Sequence, residues 1–426
     1  MLRADSIPTL FKDINQIITD YETAAQVFIN LQNAFCGRQS IIDEPAAETG
    51  KPDNRLVNNF CGYITTVNVG YFLGKPVGYN LPENQRLFLD ELTDFLNYND
   101  EHDENVMLAK EASVKGIAYE VMYTDADSKL RIASIKPECT IVFHDNTLES
   151  NILFAIRYWR KNKETVIADL YDKDKITTYE IKGKSAGKII KEEVHYFNDV
   201  PIIEYPNNDE FIGDFEKVLS LVNAYDKAQS DTANDFEYFT DAYLLIKNMS
   251  GTTDEDVNSM KSKRVLLVEG DGDVKWVTKE IQDTATENYK DRLREDIYQF
   301  SLTPNLTDDS FSGNVSGVAL EYKLWGLEQQ AAQKERKFKR GIQRRIELFC
   351  NFMKVNRNNT YDWREVQITF KRNMPMNLED TVNMITKLKG IVSDQTLLAQ
   401  LPFVEDSTKE IEKMDEEMTV DLDEVL

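Results

Sequence analysis

Paired carboxylates are the side chains of this sequence best suited to chemistry. Asp125 with Asp127, and Asp308 with Asp309, could each hold a divalent metal for phosphodiester cleavage. Both pairs sit among turn formers, where short acids cap loop backbone as readily as they bind metal. Asp271-Gly272-Asp273 has the look of a calcium loop, yet its glycine and a closing glutamate are not at EF-hand positions. Gly183-Lys184-Ser185 matches the end of a P-loop, but Thr178 stands where the opening glycine belongs. The three histidines, His102, His144 and His195, are scattered, and none adjoins a serine or cysteine nucleophile. Cys36, Cys61, Cys139 and Cys350 form no CxxC pair, which argues for reduced thiols rather than zinc or a disulfide framework. No catalytic, metal-binding or cofactor-binding set emerges, so the chain is expected not to be an enzyme. A metal-dependent nuclease or DNA-processing enzyme using the aspartate pairs is the alternative.

One cationic cluster stands apart. Lys334, Arg336, Lys337, Lys339, Arg340, Arg344 and Arg345 face a single acid, Glu335, within twelve residues. Such a belt fits either contact with DNA phosphates or a salt-bridge belt between subunits. The whole chain carries a formal charge of −24, the wrong sign for a sequence-specific DNA binder. An acidic surface instead lets DNA pass without sticking.

These residues need elements to hold them. At 426 residues, with 41% hydrophobic and 29% charged side chains, the chain reads as two or three folded domains of class α+β. Apolar spacing predicts helices over Pro8–Phe35, Arg55–Gly74, Glu83–Asn97 and Glu104–Val114, with a Pro- and Gly-bearing linker at Ile41–Asp53. From Ile117 to Glu204 the pattern alternates, predicting about seven short, largely antiparallel strands. A long helix is predicted over Asp214–Lys247, then a small insert with a hairpin (RVLLVE, DVKWVT) turned at Gly270, Asp271, Gly272 and Asp273. A second helix ends before Pro304, a polar loop spans Asn305–Gly317, and a very long helix runs over Val318–Met353. Glu365–Phe370 reads as a strand and Asn377–Leu401 as a helical pair broken near Gly390. The stretch Glu405–Leu426 holds ten acids against Lys409 and Lys413 and reads as a solvated tail. The opening MLRADSIPTLFK lacks the apolar core of a signal peptide, and no run approaches the ~18 apolar residues of a membrane span. A cytosolic protein, or one assembled in a cytosol, is expected.

Three stretches carry a resemblance: Asn54–Tyr79 (NRLVNNFCGYITTVNVGYFLGKPVGY), Val200–Asn248 and Thr303–Phe338 (TPNLTDDSFSGNVSGVALEYKLWGLEQQAAQKERKF). With the order of elements between them, the chain resembles a phage portal protein of the SPP1-like family over nearly its whole length. The resemblance implies a ring, expected to hold twelve subunits, at one capsid vertex of the virion. Double-stranded DNA is packaged and ejected through such a ring after assembly in the host cytoplasm. It implies as partners the terminase large subunit, head-completion or adaptor proteins, and the major capsid and scaffolding proteins, with no membrane and no cofactor. It further implies a wing at 1–213 (N-terminal helices and β-rich region), stem helices at 214–249 and 281–304, and a small α/β clip at 250–280. A tunnel loop would lie at 305–317, a long helix and wing at 318–375, and a helical crown with its acidic tail at 376–426. In that loop Thr307, Asp308, Asp309, Ser310, Ser312, Asn314 and Ser316 would face the DNA channel.

Overall fold

The computed structural model describes residues 2–8, 11–48, 51–183, 186–239, 243–247, 273–277, 283–307, 317–374 and 378–398, with single positions at 253, 255, 401, 404, 407, 410, 411, 413 and 414. It is a mixed α+β chain in which helices and sheets occupy successive stretches of sequence. Helix α1 (Phe11–Phe35) serves several cores. Ile14 and Ile18 pack on a large sheet, while Leu31 and Ala34 pack among helices. Helices α2 (Phe60–Leu73), α3 (Arg86–Tyr98) and α4 (Glu101–Lys115) follow, all near their expected places. Helix α2 starts later than its apolar spacing predicts, because Asn59 caps it by accepting the Gly62 N–H at 2.9 Å. Gly116 ends α4 at φ +80°, where a Cβ would sit 2.0 Å from the Phe211 carbonyl oxygen.

The β-rich region forms two sheets. Strands β3 (Ile117–Thr124), β4 (Leu130–Ile135) and β10 (Ile202–Pro206) make an antiparallel sheet in the order β10-β3-β4. Strands β5 (Thr140–His144), β6 (Ile152–Arg160), β7 (Thr165–Tyr171), β8 (Lys175–Lys182) and β9 (Ala186–Val194) make an antiparallel meander, with the short β1 (Leu2–Arg3) added parallel to β5. Among its described residues the region thus holds eight strands where about seven are expected. Strand β9 hid because a register shift against Thr178 and Tyr179 places Ile189 and Ile190 side by side and breaks the alternation.

Helix α5 spans Leu219–Phe239, after a 3-10 turn at Glu216–Val218, rather than continuing to Lys247. Tyr243–Lys247 is instead strand β11, paired antiparallel with β12 (Asp273–Val277) in the register Tyr243↔Val277 to Lys247↔Asp273. The expected strand DVKWVT therefore exists, and among the described residues it pairs with YLLIK, brought close by the helices on either side. RVLLVE, Gly270, Asp271 and Gly272 lie outside the described residues, and Asp273 opens β12.

Helix α6 (Asp283–Ser301) stops before Pro304 as expected, with Leu302 at φ +55°. Helix α7 runs over Gly317–Arg357, 41 residues and roughly 60 Å at ~1.5 Å per residue. Its Phe338, Ile342, Ile346 and Phe349 enter the largest core, shared with α2, α3, α4, β3 and β10. Gly341 permits the approach, since a Cβ there would meet the Tyr205 ring at 2.4 Å. Strand β13 (Gln367–Thr369) pairs with β2 (Gly78–Asn80), and α8 (Leu378–Leu388) and α9 (Asp394–Leu398) are separated at Gly390, φ +85°.

Candidate functional site

The helical hairpin α5–α6 and the loop that leaves it form the candidate site. The helices run antiparallel. Lys290 Nζ donates to Gln229 Oε1 at 3.2 Å, and the turn before α5 packs on the other end of α6. Phe215, Val218, Val222, Leu293 and Ile297 are buried between them, joined by Phe60 of α2 edge-on to Tyr225 and Tyr298.

One face of α5 is reserved for an extended strap at residues 54–58. The backbone N–H groups of Asn54, Leu56 and Asn58 donate to Asn234 Oδ1 (2.6 Å), Ser230 Oγ (2.9 Å) and Asp226 Oδ1 (2.8 Å). The match is geometric. Four helical residues climb ~6 Å and two extended residues span ~6.6 Å, so every fourth side chain meets every second amide. Asp226 is fully buried; burial pushes its carboxyl up, and the Asn58 backbone and side-chain N–H groups pull it back.

The base of the loop is held just as firmly. Tyr63 donates its hydroxyl to the Pro304 carbonyl at 2.8 Å and accepts the Leu306 N–H at 2.9 Å. Asn68 Nδ2 donates to Thr303 Oγ1 at 3.0 Å, and Gln330 Nε2 of α7 donates to the Ser301 carbonyl at 3.1 Å. Thr307 closes an Asx turn on Asn305. Asp308, Asp309, Ser310, Ser312, Asn314 and Ser316 lie outside the described residues.

The basic cluster divides. Arg345 is completely buried and pairs bidentately with Glu120 (2.8 and 2.9 Å) while reaching Glu101 (3.2 Å) and Asn105 (2.9 Å). Burial opposes its charge, but Glu120 and Glu101 outweigh burial and hold the guanidinium well above its ordinary pKa. Lys334 is buried on Asp214, Lys337 pairs with Asp209, and Arg344 pairs with Asp199 and Glu347. The lone acid Glu335 binds Arg372, which also holds Glu328. Arg336 and Arg340 are exposed and Lys339 is half-buried, with no ion pair within the chain among the described residues.

Asp125, His144 and His195 each have a partner within the fold, while Lys184 and Ser185 lie outside the described residues. Asp125 accepts the N–H groups of Asp127 and Lys129, and the Lys129 bond above all holds its carboxyl below the usual range. His144 is buried against Glu204, and His195 donates to the Asp172 carbonyl. All four cysteines are free, and burial pushes the Cys61 thiol up to about 11. Among the described residues no His, Cys, Asp or Glu cluster is placed to hold a metal, and no helix is long and apolar enough to cross a membrane.

Residues 14–420 match the family described as "Phage portal protein, SPP1 Gp6-like". The chain belongs to that portal protein family. It is 25% identical over 407 residues to the portal protein of Bacillus phage SPP1, covering 89% of this chain and 78% of that one. It is 26% identical over 389 residues to the portal protein of Clostridium phage phiCD119, covering 85% and 84%. Within this portal-family chain, sequence reasoning missed the strap and the Tyr63 anchor. The signal for the strap was present as Asp226, Ser230 and Asn234 at four-residue spacing, a polar stripe that reads equally as a solvated face.

Proposed function

We propose that the chain is one subunit of a ring, expected to hold twelve copies, at a single capsid vertex, and that double-stranded DNA is packaged and ejected through its axial channel. The observation that carries this reading is the family match over residues 14–420. In this reading α5 and α6 are the stem that borders the channel, and β11 with β12 belongs to the clip. The clip docks the terminase large subunit during packaging and head-completion proteins afterwards. Residues 305–317 form the tunnel loop, the sheets and N-terminal helices the wing, and 376–426 the crown and tail, facing the capsid interior. The protein is then a structural component of the virion, and hydrolysis of ATP falls to a separate motor.

Physical chemistry supports the assignment. DNA must slide without being trapped, and fixed cations would bind phosphates in succession. A net charge of −24 avoids this, with screening over ~8 Å confining the effect to the wall. The hydrogen bonds from Tyr63, Asn68 and Gln330 fix the loop base to α2 and α7, as a loop loaded by moving DNA requires. Negative-stain imaging with native mass spectrometry, on purified protein and on protein co-assembled with capsid and scaffold, tests the reading. Rings with a duplex-wide hole are expected; a compact monomer in both settings that cleaves DNA with magnesium or manganese would overturn it.

A further inference from the structure

Helix α7 has one side left open among the described residues. Its buried stripe runs through Leu324, Leu327, Ala331, Lys334 and Phe338. About half a turn away lie Tyr322, Trp325, Arg336 and Arg340, which share the opposite face at ~100° per residue. Tyr322 is 77% exposed and Trp325 62%, far more than a large aromatic ring in a solitary subunit needs to be. Arg336 and Arg340 are exposed and lack an ion-pair partner among the described residues. Tyr, Trp and Arg are the residue types that carry most binding energy at protein interfaces. The face is also rigid, because Lys334 and Arg345 fasten the same helix to Asp214 and Glu120 on its inner side.

Helix α5 offers the complement. The strap covers Asp226, Ser230 and Asn234, and α6 and α2 cover Val222 and Tyr225. What remains open presents the small, half-buried Ala228 with exposed Asp231 and Asp235, which have no ion pair among the described residues. Asp231 and Asp235 are four residues apart on a helix, as are Arg336 and Arg340, so both pairs repeat at ~6 Å.

We propose that the outward face of α7, bearing Tyr322, Trp325, Arg336 and Arg340, docks on a second copy of this chain, whose Asp231 and Asp235 receive the two guanidiniums. The donor and acceptor patches lie on different helices of one chain, so the contact is head-to-tail rather than self-complementary, the kind that closes into rings. The proposal rests on the ring reading above and names the surfaces that would build it.

Charge reversal tests it. In R336E/R340E the concentration for half-assembly should rise at least ~30-fold, with an unchanged far-UV spectrum and Tm. Adding D231K/D235K to that variant should restore rings, and Y322A/W325A alone should weaken them. Rings that assemble normally in R336E/R340E, or a folded quadruple variant that stays monomeric, would overturn the interface while leaving the ring reading intact. Rescue by reversing Asp90 and Asp94 of α3 instead would overturn the assignment to α5. Intact rings that lose only DNA retention would give the face to DNA. Absence of rings from the unaltered protein, alone and with capsid and scaffold proteins, would sink the ring reading and this interface together.

Discussion

Arg345 shows how much one buried cation can organise. Its guanidinium joins α7 to β3 through Glu120 and to α4 through Glu101, and Tyr205 donates to the same Glu120 at 2.9 Å. Removing one member of a buried ion pair leaves the others charged and unpaired, at a cost of about 3–5 kcal/mol. R345M should lose about that much in urea denaturation of the subunit, whereas R336M, at an exposed position, should change stability within ±0.5 kcal/mol. Equal losses would mean that the network carries little. Asp226 is the opposite case, a buried acid with no paired cation among the described residues. Its folded pKa is raised above the ordinary 3.8, with burial the leading cause. The protonated form is therefore favoured by folding, and the wild type loses stability as pH rises from about 3.8 through the folded pKa. D226N keeps an oxygen for the Asn58 N–H and removes the titration. Its stability relative to wild type should rise between pH 3.8 and pH 7, measured by denaturant unfolding at both values; a difference independent of pH would refute the assignment.

The strap and the α5 ladder are an element that follows no regular secondary structure yet satisfies its amides. Hydrogen exchange in the 54–58 peptide should be slow in the wild type, and S230A should speed it by freeing the Leu56 N–H. Loss of that bond costs about 0.5–1.5 kcal/mol, or roughly 2- to 10-fold in local opening. Exchange at the unprotected rate in the wild type would show that the ladder does not form in solution. Helix α7 is the element that ties everything together: its inner stripe fills the largest core, its first half steadies the base of the loop, and its outer stripe is exposed among the described residues. A helix with fixed inner charges and exposed outer ones is well suited to transmit a neighbour's position to the loop.

At the scale of the whole molecule, the acidity of the chain is expected to matter at the narrowest point of the channel. Within the proposed tunnel loop, D308K/D309K would place two cations per subunit against passing phosphates, and translocation measured in a defined packaging reaction should slow or stall. The defect should ease as salt rises from 50 to 200 mM, because each phosphate contact weakens with counterion concentration. Unchanged translocation would remove these aspartates from the channel wall.

Composition and periodicity by themselves determined the α+β class, helices α3, α4, α6 and α7 near their true ends, the antiparallel strands and the break at Gly390. The three long motif stretches pointed to the portal family. These are local properties, because apolar spacing and turn residues act within a few residues of themselves. Tertiary structure alone decided that YLLIK leaves the helix to pair with DVKWV, since a strand's partner can lie 30 residues away. It alone split the basic cluster, turning Lys334 and Arg345 inward to acids 120 and 225 residues distant and leaving Arg336 and Arg340 outside. Spacing along a helix specifies which residues share a side; which side is buried depends on what the rest of the chain brings to it.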